Sequence, residues 1–539
     1  MPNETSEDKK AAIVIKGMLK NSFFPFFCNF GTLLPVQIEV IPKILNGNNL
    51  VICSPTASGK TEAVMAPICE KIQLCRSRGL KVLYITPTKA LANDLRGRLT
   101  QPLADMCVTI DIKTGDRPFD CRKSVDILVT TPESFDSLLC RHPEIFSSLR
   151  FVVLDELHLL DGTYRGDQLR LLLKRLDQIA GKMQTIILSA TLADPKEVAK
   201  RYVDDFEISI VKDQKEIEYE LIDLDSPSML QSLADSFKAK RIQKALFFCN
   251  TREQTEKFAQ LLESRFNGKV GVHHSNITKS EREKIEKALR EGCEFYVVAT
   301  TTLEVGIDIG EIEAVCLVHP PLSISSLLQR IGRGCRRKKR AIAYGLYRGE
   351  EREMFETMFE KAKRGDLEKN NYVPSASVLV QQIFSMLYEK RHQGLAKQSM
   401  LQILKHLNID SKDLDEILSK LQQSGYVILE NSQCFPSTKL LDLGERGLIH
   451  SNIPDEKEVE VIDVSTGRPI GKVCYEPTVS SIIALNGKIW KVEKLLNGKI
   501  YVSKSSGSQE GQSCFSRRQS QGKFFMLLPE SVKKKFSTL

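Results

Sequence analysis

A glycine-lysine-threonine sequence closely follows the apolar run Leu50–Cys53 and has the residue types of a phosphate-binding loop. The run ends at Cys53, and the next residues, Ser54 to Thr61, read Ser-Pro-Thr-Ala-Ser-Gly-Lys-Thr. In such a loop backbone N–H groups surround phosphate oxygens, the lysine neutralises the β- and γ-phosphates, and the last hydroxyl binds Mg²⁺. A strand before the loop and a helical pattern after it favour a triphosphate site over a chance tripeptide. The residues predicted to bind it are Thr56, Ala57, Ser58, Gly59, Lys60 and Thr61.

Another apolar run ends in two adjacent carboxylates. Phe151 to Leu154 leads directly into Asp155-Glu156-Leu157-His158. Asp155 is predicted to hold the metal through water, and Glu156 to orient and deprotonate the attacking water, the two roles that phosphoryl transfer to water requires. An ordinary acidic pair at a strand end is the alternative interpretation, and the Lys60 loop disfavours it.

The elements that must position these residues follow from an alternation of short β-branched runs with longer helical patterns between about residues 30 and 350. A polar, acidic stretch from Asp213 to Asp225 separates two series of runs. The pattern predicts two α/β domains, each with a buried parallel sheet. The candidate strands are Leu50–Cys53, Val82–Thr86, Ile127–Thr130, Phe151–Leu154 and Thr185–Leu188, then Ala245–Cys249, Val270–Val272, Phe295–Thr300 and Ala314–Val318.

The last third of the chain has a different pattern. Three helical segments and an alternating strand at Tyr426–Glu430 are typical of a winged helix, with a generic helical bundle as the alternative. Ser411 is the expected N-cap of the third helix. From Glu458 onward, short strands separated by Asn-Gly and Thr-Gly turns indicate a small antiparallel β module, in which Trp490 is more often core than a base-stacking residue. The helical segments are Ser375–Tyr388, Lys397–Leu407 and Ser411–Ser424.

The fold class is therefore α/β, with two tandem parallel-sheet domains followed by a winged helix and a small β-rich module. The predicted domains are residues 1–210, 211–370, 371–452 and 453–539.

Composition limits the other possibilities. The 539 residues carry 77 lysines and arginines against 68 acidic residues, an excess that permits a polyanionic partner without requiring one. The 14 cysteines are scattered and read as reduced core thiols, and no Cys/His spacing fits a structural zinc site. The polar N-terminus and the absence of a long apolar run predict a cytoplasmic protein with no membrane partner.

Eight motifs in a fixed order make the chain resemble a superfamily 2 helicase of the Asp-Glu-x-His (DExH) type. The run from Thr302 to Gly310, followed by a winged helix and a β module, is similar to the large helicase-related (Lhr) group. The motifs are Phe30 with Gln37, the loop ending Gly59-Lys60-Thr61, Pro87-Thr88-Lys89-Ala90-Leu91, Thr131-Pro132-Glu133, Asp155-Glu156-Leu157-His158, Ser189-Ala190-Thr191, Thr302-Leu303-Glu304-Val305-Gly306-Ile307-Asp308, and Gln329-Arg330-Ile331-Gly332-Arg333-Gly334-Cys335-Arg336.

This resemblance implies two RecA-like domains that hydrolyse ATP with Mg²⁺. It places Phe30 and Gln37 at the adenine, Gly306 and Asp308 in the nucleotide cleft, and Gln329 among the catalytic residues. Arg333 and Arg336 would stabilise charge developing on the γ-phosphate. Three positions depart from the family pattern, because Ser54 and Ala57 stand in the phosphate loop where other small residues are common, and Cys335 adds bulk between the two arginines.

The nucleic-acid face is expected to consist of loops that follow strands and contact phosphate oxygens rather than bases. A capped or solvated loop end is the alternative interpretation for each residue taken singly. The residues predicted from their place after strands are Thr88, Lys89, Thr131, Arg252 and His274, and the motifs add Pro87 and Thr302.

The resulting hypothesis is an ATP-dependent helicase or translocase that acts on single-stranded or tailed duplex nucleic acid. From the Lhr resemblance we expect DNA rather than RNA, 3′-to-5′ movement, unwinding of DNA or DNA/RNA duplexes, and a role in repair. An RNA helicase is the alternative within this class. A nonhydrolysing regulator that reads sequence through the winged helix is the alternative from another class. The residues whose retention argues against it are Lys60, Asp155, Glu156 and Arg333.

Overall fold

The computed structural model describes residues 6–28, 32–55, 58–74, 78–190, 192–211, 216–266, 268–292, 294–304, 309–334, 340–368, 372–430, 433–453, 459–473, 479–496, 498–505 and 521–538. Six predicted site residues, Phe30, Thr56, Ala57, Gly306, Asp308 and Arg336, lie outside these ranges. No helix in the described ranges is long and apolar enough to cross a membrane.

The first sheet has seven parallel strands in the order β3-β4-β2-β5-β6-β1-β7. Its central strands are buried on both faces, as their uninterrupted apolar runs predict. The five strands predicted here are confirmed within one residue at each end. The strands are β1 Asn49–Cys53, β2 Val82–Ile85, β3 Ile110–Lys113, β4 Ile127–Thr130, β5 Phe151–Leu154, β6 Gln184–Ser189 and β7 Phe206–Ile210, with helices α1 Ser6–Met18, α2 Phe23–Phe27, α3 Pro35–Leu45, α4 Lys60–Gln73, α5 Lys89–Asp105, α6 Pro132–Arg141, α7 Tyr164–Ala180 and α8 Pro195–Lys200.

The second sheet has six parallel strands in the order β10-β11-β9-β12-β13-β8. The four strands predicted in this half are confirmed. The strands are β8 Glu216–Asp223, β9 Lys244–Cys249, β10 Val270–His273, β11 Phe295–Ala299, β12 Ala314–Val318 and β13 Arg340–Tyr347, with helices α9 Met229–Lys240, α10 Arg252–Glu263, α11 Lys279–Glu291, α12 Ile324–Ile331 and α13 Glu351–Arg364.

The acidic stretch Asp213–Asp225, which lies between the two predicted series of strands, contains β8, a strand that the sequence analysis did not predict. This edge strand pairs with β13 along all eight residues. Ile217, Tyr219 and Leu221 alternate toward the core, while Glu218 and Glu220 alternate away from it and contact Lys240. An edge strand with one solvated face carries few apolar residues, which explains why the sequence resembles a polar linker.

The helical segment that follows, described over residues 372–430 and 433–453, is the one predicted to be a winged helix, and we keep that name for it. A three-stranded antiparallel sheet in the order β14-β16-β15 accompanies the helices. The N-cap of α16 is Asp410 rather than Ser411, because Asp410 and Asp413 each accept the other's backbone N–H. The elements are α14 Ser377–Glu389, β14 Leu395–Ala396, α15 Lys397–Leu404, α16 Ser411–Gln423, β15 Val427–Glu430, β16 Gln433–Pro436 and α17 Thr438–Glu445.

A five-stranded β module and a last helix complete the chain. The strand order is β18-β17-β21-β20-β19, with all neighbours antiparallel except β17 and β21. Trp490 is 5% exposed and its Nε1 donates to the Leu485 carbonyl at 2.8 Å, which confirms it as a core residue. The elements are β17 Val459–Asp463, β18 Pro469–Val473, β19 Ile482–Leu485, β20 Lys488–Leu496, β21 Lys499–Lys504 and α18 Glu530–Thr538.

These elements form two compact units. The first contains residues 1–212, 369–454 and 519–539, and the second contains residues 213–368 and 455–518. The winged helix therefore packs with the first sheet and the β module with the second, and the chain returns to the first unit at its end. Val532 and Phe536 of α18 are buried in the same apolar cluster as α14.

A buried charged network joins the winged helix to the first sheet domain. Asp136 of α6 is fully buried and accepts from Ser385 Oγ at 2.5 Å and from Arg175 Nη1 at 3.3 Å. Arg175 of α7 also donates to Glu389 at 2.7 Å, and His450 Nδ1 lies 3.4 Å from Asp136. With His450 protonated, two positive and two negative groups balance, which is the condition for burying such a network.

The same network contains three possible metal ligands. Donor atoms of Asp136, Cys140 and His450 lie within 4.8 Å of one another. The Arg175 guanidinium lies 3.3 Å from Asp136 and 3.7 Å from the Cys140 sulfur, so a cation already contacts both potential anions. We therefore interpret the cluster as a hydrogen-bonded interface and assign no metal to it.

The network predicts a stability change at alkaline pH. Burial opposes protonation of His450, but the contacts with Asp136 and Cys140 outweigh it and raise the pKa of His450 from 6.5 to about 9. Because the folded state binds this proton more tightly than the unfolded state, its contribution is complete below 6.5 and is lost as the pH rises through about 9. Urea midpoints of the wild type and His450→Gln, measured from neutral to alkaline pH, should therefore differ at neutral pH and converge above the folded pKa. A difference that stays constant across this range would show that His450 is not protonated in the fold.

Candidate nucleotide and nucleic-acid sites

The phosphate loop joins β1 to α4, and its lysine is held inside the first unit. Gly59 is the N-cap of α4 with φ of 81°, and Lys60 is the first helical residue. The Lys60 side chain is 7% exposed, and its Nζ donates to the carbonyls of Ser54 at 2.6 Å and Ser189 at 3.2 Å. The ammonium group therefore lies between the carboxyl ends of β1 and β6, where a helix N-terminus also favours anions.

Gly59 is required by both conformation and space. Its positive φ is a conformation that other residues adopt only with strain. A Cβ at this position would lie 2.6 Å from Gln37 Nε2 and 2.8 Å from Leu34 Cδ1. The start of α3 and the phosphate loop thus pack directly against each other.

Gln37 connects these two segments. Its Oε1 accepts the Leu34 backbone N–H at 2.8 Å, and its Nε2 donates to the Gly59 carbonyl at 3.4 Å. The side chain is 4% exposed. The predicted contact of Gln37 with adenine stays a prediction, and the structure adds that the same amide supports the phosphate loop.

The two carboxylates lie at the end of β5, as predicted. Asp155 accepts from Tyr84 Oη at 3.0 Å and from the Glu156 backbone N–H at 2.9 Å. Burial and the charge of Glu156 raise the pKa of Asp155 to about 7, while Lys60 and Tyr84 act in the opposite direction. A divalent cation at Asp155 would favour its ionised form, so the donor set fits such an ion.

Glu156 has a backbone conformation that is unusual for a residue other than glycine. Its φ of 44° is in the left-handed region, which a non-glycine residue adopts at a cost of about 1–3 kcal/mol. The turn leaves Glu156 8% exposed, directly after the strand that carries Asp155. Strain of this kind is concentrated at functional sites, where surrounding structure enforces it.

His158 links the carboxylate loop to the loop after β6, a role that our sequence analysis missed. Its Nδ1 accepts the Ala190 backbone N–H at 3.1 Å and lies 3.3 Å from Ser189 Oγ. Nδ1 is therefore the unprotonated nitrogen of a neutral ring. The only sequence signal for this role was the histidine of the Asp-Glu-x-His motif itself. The contact joins the loops that follow two different strands, β5 and β6, so no local pattern predicts it.

The predicted nucleic-acid residues of the first unit follow two neighbouring strands. Thr88 follows β2 and Thr131 follows β4, and both residues are N-caps of helices. Thr88 Oγ1 accepts the Leu91 N–H at 3.2 Å, which leaves its hydroxyl proton available to a phosphate. Lys89 forms an exposed ion pair with Asp116 at 2.7 Å, an interaction weak enough to exchange for a polyanion. Pro87 lies between the strand and this cap.

The second unit brings Arg252, His274 and Thr302 to the ends of three neighbouring strands, β9, β10 and β11. Arg252 begins α10. His274 is fully buried and Thr302 is bound to its neighbour His273, at 2.9 Å from Nδ1 and 3.1 Å from the carbonyl. The structure therefore groups these residues at one sheet edge, but it places the His274 ring inside the fold.

The arginine motif is anchored by a residue that sequence reasoning did not select. Glu304 accepts from Arg330 Nε at 2.5 Å, and its carbonyl accepts from Arg333 Nη2 at 2.6 Å. Arg330 also donates to Asn250 at 3.0 Å, while Gln329 donates to Ser325 at 3.3 Å. Arg330 and Arg333 are at most 2% exposed, so both are positioned by the fold.

Comparisons with known proteins agree with this architecture. The family model "DEAD/DEAH box helicase" matches residues 34–198, and "Helicase conserved C-terminal domain" matches residues 226–338. The chain is 30% identical over 529 residues to the ATP-dependent helicase Lhr-Core of Methanocaldococcus jannaschii, covering 88% of this chain and 60% of that protein. It thus spans about three fifths of the length of this curated relative.

Two solved structures share the fold. The Mycobacterium smegmatis helicase Lhr bound to ssDNA and AMP-PNP has a TM-score of 0.71 at 24% identity, covering 82% of this chain and 63% of that one. The DUF1998 helicase MrfA bound to DNA has a TM-score of 0.72 at 22% identity, and the match covers 94% of this chain and 74% of that one. With the motifs and both sheets in place, the chain contains a DEAD/DEAH box helicase domain followed by a helicase conserved C-terminal domain, and it is similar to the Lhr helicases.

Proposed function

We propose that this protein is an ATP-dependent helicase or translocase. The observation that carries the proposal is the convergence of Lys60, Asp155 and Glu156 at one sheet edge, with Lys60 bonded to the Ser189 carbonyl and His158 bonded to the same loop. A lysine at a helix N-terminus binds phosphates, and a strained carboxylate beside a second carboxylate is suited to orient water.

Four site residues of the first unit have proposed roles in ATP hydrolysis. Lys60 exchanges its two carbonyl contacts for β- and γ-phosphate oxygens, and Glu156 holds and deprotonates the attacking water. Thr61 and Asp155 would hold Mg²⁺, which would supply positive charge to the phosphates. Asp155 would act through water, and Tyr84 and the Glu156 N–H keep its carboxylate in place.

The second unit is proposed to contribute positive charge to hydrolysis. Arg333 is the candidate for this charge, and the structure describes its contacts: its guanidinium donates to the Glu304 carbonyl. Arg336, Gln329, Gly306 and Asp308 are proposed to act with it, on the basis of the motif resemblance alone. Nucleotide binding would then couple to movement of the units, because hydrolysis requires both.

Single-stranded DNA is the proposed substrate. The N-caps of α5 and α6 and the start of α10 present hydroxyls and a cation at strand ends, which suits a phosphate backbone. The Lhr and MrfA structures that share this fold are bound to ssDNA and DNA. From the same similarity we propose 3′-to-5′ movement and a role in DNA repair.

A strand-displacement assay tests this proposal. Duplexes with a 3′ or a 5′ single-stranded tail, made as DNA, RNA and DNA/RNA hybrids, are incubated with ATP and Mg²⁺. We expect displacement from 3′-tailed DNA or hybrid, and hydrolysis stimulated more by single-stranded DNA than by matched RNA. Displacement of RNA duplexes alone would favour an RNA helicase. Binding without any ATP turnover would instead support a nonhydrolysing regulator.

Replacing Gln37 with alanine is expected to weaken nucleotide discrimination. The variant removes the predicted adenine contact and the amide that bridges Leu34 to Gly59, so the KM for ATP should rise about tenfold, the effect of one lost hydrogen bond of about 1.5 kcal/mol. Competition of GTP against ATP checks the result. GTP should compete poorly in the wild type and comparably with ATP in the variant. Undiminished preference for ATP would contradict adenine recognition by Gln37.

A further inference from the structure

The β module contacts the second sheet domain at a loop that begins with His274, one of the residues that the sequence predicts for the nucleic-acid face. This loop, residues 274–277, follows β10. The Lys472 N–H of β18 donates to the Asn276 carbonyl at 2.9 Å, and Asn276 Nδ2 donates back to the Lys472 carbonyl at 3.2 Å. Ile277 forms an isolated bridge with Gly471. On this side of the loop, β18 of the module therefore supplies the hydrogen-bond partners of Asn276.

A buried carboxylate joins the module to the same loop on a second side. Glu256 of α10 is fully buried and accepts backbone N–H groups of Asn486 at 2.7 Å and Gly487 at 2.5 Å. These two residues form the turn between β19 and β20, with φ values of 57° and 69°. Two successive N–H groups in a left-handed turn make a concave anion site, and here its anion is a side chain of the neighbouring domain.

The same carboxylate holds His274. His274 Nε2 lies 2.8 Å from Glu256 Oε1, and the Asn276 N–H donates to His274 Nδ1 at 3.3 Å. The ring proton is therefore on Nε2, and the ring connects Glu256 to the backbone of the loop. His274 and Asn276 are buried, whereas Ser275 between them is exposed. The contacts thus fix both neighbours of the one residue of this segment that faces solvent.

We propose that Glu256 is a positioning residue through which the β module sets residues 274–277 to receive a single-stranded DNA backbone at Ser275. The inference rests on the proposed function, and it assigns the module a role in nucleic-acid binding without direct contact. His274 acts from inside the fold. The exposed Ser275 hydroxyl, which donates to Asn276 Oδ1 at 3.3 Å, exchanges this partner for a phosphate oxygen, and the Ser275 backbone contacts phosphate as well. Loss of the carboxylate would loosen the loop without touching the nucleotide site in the first unit.

The test uses Glu256→Gln in the full chain. One oxygen becomes an NH₂ group, which cannot accept a backbone N–H, so the turn or the histidine loses its acceptor. We expect the single-stranded DNA concentration that half-saturates ATPase stimulation to rise about tenfold, the loss of one charge-assisted hydrogen bond. The kcat at saturating DNA and the DNA-free hydrolysis rate should stay within about twofold of the wild type. Glu493→Gln is the matched control, since Glu493 is exposed on the same module and bonds only Ser503 among the described partners.

Hydrogen exchange supplies a second readout. The Asn276 amide should exchange faster in Glu256→Gln than in the wild type without DNA, because its acceptor ring is no longer fixed. If Glu256→Gln does not fold, Asn276→Ala removes the amide bond to Lys472 and the Oδ1 atom that accepts from the Ser275 hydroxyl at 3.3 Å, and it should raise the half-saturating DNA concentration about threefold. A half-saturating concentration equal to that of the wild type, with or without a lower melting temperature, would overturn the proposal. A wild type that DNA does not stimulate would instead overturn the proposed function, and the exchange measurement would still report on the loop.

Discussion

Replacing Glu156 with glutamine should lower DNA-stimulated ATP hydrolysis by about a hundredfold to ten-thousandfold, the range for removal of a general base. Glutamine keeps the size of the side chain but cannot accept the proton of the attacking water. ATP binding should persist, because Lys60 and the helix N-terminus are unchanged. Steady-state phosphate release with saturating ATP and DNA measures the first effect, and binding of a fluorescent ATP analogue measures the second.

The control for this variant is Glu197→Gln, an exposed carboxylate of α8 paired with Lys200. It should hydrolyse ATP as the wild type does. Turnover that survives Glu156→Gln would show that another group activates the water and would remove the assigned base from the account.

Replacing Arg333 with alanine should reduce kcat by about a thousandfold, the lower end of the range for an arginine that stabilises transferring phosphate. The KM for ATP should change little, since this charge acts mainly in the transition state. Because Arg333 also donates to the Glu304 carbonyl, Arg333→Lys serves as a second variant that keeps the charge and loses the planar fork. Single-turnover hydrolysis separates the chemical step from product release.

Arg352→Ala gives the matched control, because Arg352 is an exposed arginine of α13 that pairs with Glu356. If Arg333→Ala has the kcat of the wild type while Glu156→Gln is strongly impaired, hydrolysis depends on the first unit alone. The proposed contribution of the second unit would then be wrong.

The sequence predicted the parts of the fold that depend on local pattern. Strands buried on both faces appear as continuous apolar runs, so nine of them could be located before the sheets were known. The phosphate loop and the Asp155–Glu156 pair could be located because their residue types are set by chemistry at adjacent positions. The order of motifs then carried the assignment to a helicase family.

Features that depend on tertiary pairing were not predictable in the same way. β8 was not predicted within its polar, acidic stretch, because only the pairing with β13 shows that its alternating residues form an edge strand. The Asp136–Arg175–His450 network brings His450 to two residues that precede it by more than 250 positions, and no local signal marks the three residues. The sequence places His274 directly after a strand and therefore predicted it for the nucleic-acid face. Its ring is buried because Glu256, which also binds the β module, holds it inside, and no local pattern shows that contact.

The most direct test of the account is the ATP hydrolysis rate of the full chain with Mg²⁺, measured with and without single-stranded DNA, beside Lys60→Ala. We predict slow hydrolysis by the protein alone, strong stimulation by DNA, and loss of both rates in the variant. Hydrolysis that is absent in the wild type under all conditions, or that persists undiminished in Lys60→Ala, would contradict the account.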